Sequence, residues 1–393
     1  MASFARDPRR AIGRPLARTL LPNFHVSPTS SPRRRRPLIT TAVWLAVIVV
    51  AATSALTSRR PPAKPDLGSP EWRLRESAIA RARVFLDAPA PEPELPGIDD
   101  TVVCHYVPKP TSAMSPKFDC RLQSGEVVKV KYDTLEIQAE TAATRLMRAL
   151  GLAADEVSIV RRVRCHGCPP FPFHARRLFE LFHGGPVLDR IVPERIVRDF
   201  EWVSIERKFP ARAFEIGELE GWHWGELSSV RRDLGGASLA ELDALRLFAV
   251  LIGHWDNKLD NQRLICLEDD GKDSAEACER PALMIHDVGG TFGTKRVDLA
   301  SWQAQPIWAD GQSCRVSMDD MPLGPGTFVP VEIGEPGRRL LASKLTAFSK
   351  ARMIDQFAGA RFPDPRGGDT GDVTPWVRTL QAKIGEIDSR RCQ

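Results

Sequence analysis

A stretch of 21 residues without any charge, residues 38–58, constrains the fold of this chain more than any other feature. As a helix it is about 30 Å long, which matches the hydrocarbon core of a bilayer. Four arginines at residues 33–36 precede it, and Arg59 and Arg60 follow it. Because the flank before the segment is richer in arginine, the positive-inside rule predicts that residues 1–37 are cytoplasmic and that the rest of the chain lies outside.

Three interpretations of residues 38–58 are open. A membrane anchor and a signal peptide cleaved near the small residues 52–55 would both export the C-terminal body, whereas a buried core helix would not. The long basic region before the segment favours the uncleaved anchor. We therefore expect a single-pass membrane protein that contacts the lipid bilayer through residues 38–58. Its N-terminus would be cytoplasmic and its C-terminal domain periplasmic or otherwise extracytoplasmic.

The formal net charge of +5 is concentrated near the N-terminus. Residues 1–37 contain nine arginines and one acidic residue, a local net charge of +8, so the remainder carries −3. Proteins that bind nucleic acid spread a basic surface over the folded domain, and we therefore expect no nucleic-acid partner. Hydrophobic residues make up 42% of the chain, which is enough for a packed core and excludes full disorder.

The eight cysteines all lie after the candidate membrane segment. An even number in an exported domain predicts disulfides, although the sequence by itself does not determine how they pair. For the Cys-x-x-Cys motif of Cys165 and Cys168, a zinc site and a redox pair are open alternatives to a structural disulfide. We expect the pairs Cys104–Cys120, Cys165–Cys168, Cys266–Cys278 and Cys314–Cys392.

Beyond the membrane segment, the sequence predicts a linker and then a strand-rich region. Two proline-rich runs flank a short predicted helix at residues 71–86. A further helix is predicted over residues 137–150, where Gly151 ends it. Alternating and β-branched residues predict strands at 101–107, 118–122, 127–132, 157–163 and 202–207.

The C-terminal half is predicted to be mainly helical. Ser238 and Glu241 form a capping box that opens an apolar helix, and this helix ends near Ile252. A pair of strands and two further helices complete the prediction, at residues 263–267, 282–286, 338–358 and 373–387.

Polar residues that suit one kind of chemistry follow each other along these elements. One predicted strand carries Lys131, and the next helix carries Glu140. The segment after the apolar helix holds Asp256 and, five residues later, Asn261, while Asp287 follows a strand and precedes two glycines. With this order the chain resembles the protein-kinase-like superfamily. Its atypical members are the most similar: the HipA-type kinases, the secreted kinases of the Fam20 type and the phosphoinositide-kinase branch.

The resemblance implies a metal-dependent phosphotransferase that uses ATP with Mg²⁺ or Mn²⁺. Lys131 would reach the α- and β-phosphates, and Glu140 would hold its ammonium group in place. Asp256 would accept or orient the proton of the acceptor hydroxyl. Asn261 and Asp287 would bind the metal ion, because amide and carboxylate oxygens are ligands that suit these hard cations.

Several neighbouring residues are candidates for related roles. Lys129 shares the strand face of Lys131, and Glu136 is the second glutamate that could pair with that lysine. Glu206 lies on the strand expected to lead to the hinge between two lobes, and the resemblance assigns it, with Lys131, to cofactor binding. His254 is expected to brace its loop through hydrogen bonds.

Two observations favour a different function. No glycine-rich phosphate loop precedes Val127, and ATP is scarce in a bacterial periplasm. The alternative is a catalytically inactive kinase-like fold that acts as an anchored binding or scaffold protein. The sequence does not identify a phosphoacceptor, which could be a protein or a small molecule.

The predicted fold is α+β, a two-lobed kinase-like domain preceded by one transmembrane helix. The expected regions are a basic cytoplasmic tail (1–37), a transmembrane helix (38–58), a proline-rich linker with a short helix (59–97), a strand-rich N-lobe (98–205) and a helical C-lobe (206–393).

Overall fold

A computed structural model describes residues 68–87, 97–109, 115–169, 171–181, 195–214, 221–267, 278–293, 297–319, 326–362 and 371–393. The predicted cytoplasmic tail and membrane helix, residues 1–58, lie outside these described residues and stay predictions. Within the described ranges, no helix combines the length and the apolar composition that crossing a bilayer requires.

Five strands of the first region close into a barrel. They are β1 (Thr101–Val107), β2 (Lys117–Leu122), β3 (Val127–Lys131), β4 (Glu156–His166) and β5 (Val197–Arg207). Hydrogen bonds join them in the order β1-β2-β3-β5-β4, and β1 closes the barrel by running parallel to β4. Alternate side chains point inward, where Val128, Val130 and Val163 belong to an apolar core.

The helices of the described residues lie before, between and after the barrel strands in the sequence. They are α1 (Pro70–Ala80), α2 (Glu136–Leu150), α3 (Pro172–Leu181), α4 (Leu239–Ile252), α5 (Leu299–Ala304), α6 (Glu335–Thr346), α7 (Lys350–Gly359) and α8 (Thr374–Ser389). A second and larger apolar core joins α2 to α4, α6, α7 and α8. The predicted mixed α+β fold, with strands first and helices later, is confirmed.

Five further strands follow the barrel and form two small sheets. These are β6 (Arg212–Ala213), β7 (Gln262–Cys266), β8 (Pro281–Ile285), β9 (Arg315–Val316) and β10 (Val331–Glu332). β6, β7 and β8 form one antiparallel sheet, which confirms the predicted strand pair. All five residues of β8 are buried, and the strand ends two residues before Asp287.

The short helix predicted in the linker is present, but it ends earlier than expected and is part of the folded body. Ser69 caps α1 by accepting a hydrogen bond from the Trp72 backbone N–H at 3.1 Å. Ala78 and Ile79 are buried in the larger core. The helix ends at Ala80 and not near residue 86, because the chain beyond it adopts extended bridges to β8 and to Leu152.

Local capping decides the helix boundaries of the second half. The predicted capping box of Ser238 and Glu241 opens α4, and Gly253 ends the helix with a φ of 65°. The prediction of a single helix at 338–358 is wrong, because the helix is interrupted between α6 and α7. Ser349 starts the new helix by accepting a hydrogen bond from the Arg352 N–H at 3.2 Å.

The four expected disulfides are all present, and no cysteine is free. Two of them meet inside the barrel, where Cys120 Sγ lies 3.7 Å from Cys165 Sγ. Because Cys165 and Cys168 are oxidised and buried, they offer no thiolate to a zinc ion. The structural interpretation of this Cys-x-x-Cys motif is therefore the one that the structure supports.

Candidate functional site

Strand β3 brings Lys131 to the face of the barrel that packs against α2. The strand alternates, so that Val128 and Val130 fill the barrel and the two lysines point the other way. Lys131 is 1% exposed and lies among carboxylates. A lysine this deeply buried needs partners for its charge, because taking an unpaired ammonium group out of water is very costly.

Glu140 is the glutamate that pairs with Lys131. Its two carboxylate oxygens lie 2.5 and 2.7 Å from Lys131 Nζ, and both side chains are buried. The alternative partner, Glu136, lies one turn earlier on α2 and accepts a hydrogen bond from Ser115 instead. A Cβ atom at Gly289 would come within 2.9 Å of Glu136, so this glycine is required by close packing.

Glu206 completes the group of buried charges. β5 places it directly opposite Lys129, with which it forms an ion pair, and its other oxygen lies 3.7 Å from Lys131 Nζ. We call Lys129, Lys131, Glu140 and Glu206 the lysine cluster. The side chain of Glu206 is 1% exposed and engaged by both lysines. Its predicted contact with a cofactor stays a prediction.

The charges of the lysine cluster set the pKa values of its members. Burial acts most strongly on Lys131 and lowers its pKa, but the surrounding carboxylates outweigh this effect and hold the pKa well above its usual value. Burial raises the pKa of Glu140 to about 7 against the lowering effect of Lys131. Burial also acts to raise the pKa of Glu206, yet Lys129 and Lys131 bring it below the usual range.

Asp287 joins the lysine cluster from the end of β8. Its Oδ1 lies 3.8 Å from Lys131 Nζ, and its side chain is 39% exposed. Its backbone is left-handed, with a φ of 47°, a conformation that is uncommon outside glycine and is often found at functional sites. Burial tends to raise the pKa of Asp287, but Lys131 and Lys117 lower it to about 2, so the carboxylate is ionised at neutral pH.

Asp256 and Asn261 lie in the segment that connects α4 to β7. The Asn261 side-chain N–H group donates to the backbone carbonyl of Asp256 at 2.6 Å. The backbone carbonyl of Asn261 in turn accepts from the His286 N–H at 2.8 Å, so this segment lies beside the chain that carries Asp287. Asp256 is 33% exposed and pairs with Lys258 at 3.2 Å. We call Asp256, Asn261 and Asp287 the loop residues.

His254 lies in the electrostatic field of both aspartates. It is fully buried, and neither ring nitrogen has a hydrogen-bond partner among the described residues. Burial lowers its pKa to about 4, while the charges of Asp256 and Asp287 act to raise it. We expected the His254 side chain to hold its loop through hydrogen bonds, and this expectation is wrong, since its ring makes none with the described residues. Asn257 does this, since its Oδ1 accepts from the Thr327 N–H at 2.7 Å.

Sequence reasoning missed a second polar pair beside the cluster. His286 Nδ1 lies 2.8 Å from Asp155 Oδ2, and the other oxygen of Asp155 accepts from the Phe209 N–H at 2.7 Å. Burial acts to raise the pKa of Asp155, but the hydrogen bond and charge of His286 lower it. The position of His286 next to Asp287 was the signal in the sequence, but nothing there indicated Asp155 as its partner.

The arrangement suits a ligand that carries both negative charge and a metal ion. The structure brings Lys131, Glu140, Glu206 and Asp287 together and places Asp256 and Asn261 in the neighbouring segment. Asp287 offers an ionised, partly exposed carboxylate, and the Asn261 amide is held through its nitrogen by the Asp256 carbonyl. Carboxylate and amide oxygens are ligand types that hard cations accept. These oxygens fit a hard divalent ion such as Mg²⁺.

The chain matches no protein-family model, and no curated protein is similar to it. Among solved structures it is similar to the proinflammatory kinase CtkA of Helicobacter pylori, with 11% identical residues and a TM-score of 0.37. The match covers 74% of this chain and 95% of that one. The chain thus has a mixed α+β fold with a kinase as a distant structural neighbour.

Proposed function

We propose that this protein is a membrane-anchored, extracytoplasmic kinase-like phosphotransferase that uses ATP with Mg²⁺ or Mn²⁺. One observation carries the proposal: Lys131 Nζ bonds to Glu140 at 2.5 Å while Asp287 Oδ1 lies 3.8 Å away. Phosphoryl transfer asks a protein mainly for positioning and for cations near the phosphates. A strand lysine held by a helix glutamate, next to an ionised aspartate, supplies both.

The loop residues have separate roles in this proposal. Asp287 and Asn261 would hold the metal ion, which, when bound, neutralises the charge that develops on the phosphates. Asp256 would orient the acceptor hydroxyl or take its proton, and its partial exposure leaves it accessible to a substrate. Lys131 would contact the α- and β-phosphates. The acceptor, a protein or a small molecule, is for experiment to identify.

The test measures nucleotide binding and phosphate transfer with the full chain in detergent. We expect ATP with Mg²⁺ or Mn²⁺ to raise the melting temperature and label from the γ-phosphate to appear on an added acceptor mixture or on the protein itself. Asp287→Asn should reduce transfer at least about a hundredfold, as expected for loss of a metal-binding or charge-stabilising group. Asp355→Asn changes an exposed aspartate on α7 and should have no effect.

The outcomes also separate the alternative function. Lys131 already faces three carboxylates within 4 Å, and the β1–β2 connection contains no glycine, both of which favour a fold that no longer transfers phosphate. Nucleotide binding without transfer would support an anchored binding or scaffold protein. If no nucleotide changes the melting temperature and cells with Asp287→Asn behave as wild type, the phosphotransferase proposal is wrong.

The proposed location rests on residues 38–58 and is supported by the disulfides, which persist in oxidising compartments. We expect the full chain to sediment with membranes and to resist extraction by carbonate. Protease added outside the cytoplasmic membrane should digest the C-terminal body and spare an epitope placed within residues 1–37. Recovery of the body in the cytoplasmic fraction would refute this topology.

A further inference from the structure

Lys117, a residue that the proposed function does not use, faces the same site from strand β2. It lies directly opposite Lys131 in the antiparallel pairing of β2 and β3. Side chains at opposite positions of such a pair point to the same face of the sheet and are close neighbours. The first residue of β2 therefore adds a third lysine to the face that carries Lys129 and Lys131.

The three lysines differ in their partners. Lys131 has three carboxylates within 3.8 Å, and Lys129 is paired with Glu206. Lys117 is half-buried, and among the described residues no carboxylate lies within 4.0 Å of its ammonium group. Burial lowers the pKa of Lys117, and Lys131 and Lys129 lower it further. A negatively charged ligand beside Lys117 would offset its repulsion by Lys131 and Lys129. Those two lysines already have carboxylate partners.

The connection before Lys117 explains why a lysine is needed there. Residues 108–116 join β1 to β2 and contain three prolines and no glycine. Proline has no backbone N–H, so this connection has fewer donors for a phosphate than a glycine-rich loop has. The carbonyl of Pro116 accepts a hydrogen bond from the Tyr132 N–H at 3.1 Å, which fixes the start of β2 beside the end of β3.

We propose that Lys117 is a phosphate-binding residue that contacts the polyphosphate of the nucleotide and replaces the backbone donors of a glycine-rich loop. The inference rests on the proposed function and extends it, because it identifies the residue that selects a ligand with several phosphates. Lys117 is the strand partner of Lys131, whose Nζ lies 3.8 Å from Asp287 Oδ1, so Lys117 faces the part of the site to which the proposed function assigns the metal ion. Lys131 is held by carboxylates, whereas Lys117, which has no carboxylate within 4.0 Å among the described residues, offers its positive charge to the phosphates.

The test compares ligands with and without phosphates, using calorimetry on the full chain in detergent with Mg²⁺. Wild type should bind ATP more tightly than ADP, and ADP more tightly than adenosine. Lys117→Met should weaken ATP binding about tenfold or more, the loss expected for one charge-assisted contact, and leave adenosine binding unchanged. Lys117→Arg should recover part of the loss. The matched control is Lys350→Met, which changes an exposed lysine on α7.

Inorganic tripolyphosphate separates this inference from the proposed function. If wild type binds tripolyphosphate and Lys117→Met does not, Lys117 is a phosphate-binding residue even if the protein transfers no phosphate from ATP. If Lys117→Met binds ATP and tripolyphosphate within twofold of wild type, or if wild type binds neither, the inference is wrong.

A second measurement does not depend on the folding of a variant. An amine-reactive acylating reagent should modify Lys117 of the wild-type protein faster than the paired Lys131, as quantified by mass spectrometry. Tripolyphosphate or ATP should protect Lys117 from modification. Equal labelling of Lys117 with and without saturating tripolyphosphate would overturn the inference.

Discussion

The lysine cluster and the loop residues form two parts of one site, and they are built in opposite ways. In the cluster, Lys131, Glu140 and Glu206 are each at most 3% exposed, and each is held by at least one charged partner. In the loops, the carboxylates of Asp256 and Asp287 are 33% and 39% exposed. The charges of the cluster are neutralised by the fold itself, whereas the two loop carboxylates remain partly open to solvent.

The energetic consequences follow from burial. Removing one partner of a buried ion pair leaves an uncompensated charge in a medium of low polarity, whereas exposed charges are screened by water. Substitutions in the cluster should therefore reduce stability strongly, in addition to the effect that Lys131 has on nucleotide binding, whereas substitutions at the loop carboxylates should change stability little and mainly affect binding and transfer. The predictions below test this division.

The largest effect is expected for Lys131→Met. Methionine keeps most of the side-chain volume but leaves Glu140, Glu206 and Asp287 without their shared cation. We expect the free energy of unfolding to fall by about 3–5 kcal/mol, measured by urea denaturation monitored with tryptophan fluorescence. The control Lys350→Met should stay within about 0.5 kcal/mol of wild type. A loss below about 1 kcal/mol for Lys131→Met would contradict a structural role for the cluster.

The second effect concerns pH and His254, which lies two residues before Asp256. Its pKa is about 4 in the folded chain and 6.5 in the unfolded one. Between these values the unfolded state binds the extra proton, so stability is lost as the pH falls from 6.5 to 4. The difference corresponds to about 3 kcal/mol at most.

Denaturant titrations at several pH values between 4 and 7 measure this effect. In His254→Leu the part of the slope due to His254 should disappear, whereas His174→Leu, at an exposed position, should keep it. Equal slopes for wild type and His254→Leu would show that the buried imidazole is not kept neutral by the fold.

A smaller effect is expected for Glu140→Ala. Lys131 then keeps Glu206 and Asp287 at 3.7 and 3.8 Å but loses its two shortest contacts, and we expect a loss of about 2 kcal/mol. Glu136→Ala is the matched control one turn earlier on the same helix, and it should cost less than about 1 kcal/mol. The unfolding free energies from chemical denaturation compare the two. An equal loss in both variants would assign the effect to the helix and not to the ion pair.

The smallest change in stability is expected for Asp287→Asn, in contrast to its large expected effect on transfer. The carboxylate is partly exposed, so we discount its contribution for screening by water and expect about 1 kcal/mol at pH 7. Since the folded pKa of about 2 lies below the usual 3.8, this contribution should be lost as the pH falls from 4 to 2. Thermal unfolding across that range measures it. A loss above about 3 kcal/mol would place Asp287 among the structural residues.

Much of the fold could be predicted because local patterns control it. β-branched alternation gave the barrel strands, and the capping box of Ser238 and Glu241 gave the start of α4. The end of α1 and the interruption before α7 were missed, because the sequence pattern at both places is also compatible with a continuous helix. At Ser349 the hydroxyl caps a new helix, and after Ala80 pairing with other segments replaces helical hydrogen bonds.

The candidate site was only partly predictable for a different reason. The pairing of Lys131 with Glu140 was implied by the resemblance to the kinase-like superfamily, with Glu136 as the other candidate, and the structure brings Lys131 and Glu140 together. The contacts of Glu206 with both lysines depend on the register of β5 against β3, which no local pattern specifies. The contact of His286 with Asp155 joins residues far apart in sequence, and the isolation of His254 depends on packing from several elements.

By itself, the sequence determined the order of the elements and the polar residues with suitable chemistry. These depend on side-chain type and on neighbours within a few turns. Only the tertiary structure decided which charges are neutralised, because partners within 4 Å come from strands and loops distant in the chain. Lys117 and Lys131 are both lysines on predicted strands, and the sequence does not distinguish their surroundings. In the structure, carboxylates from α2, β5 and the end of β8 surround Lys131.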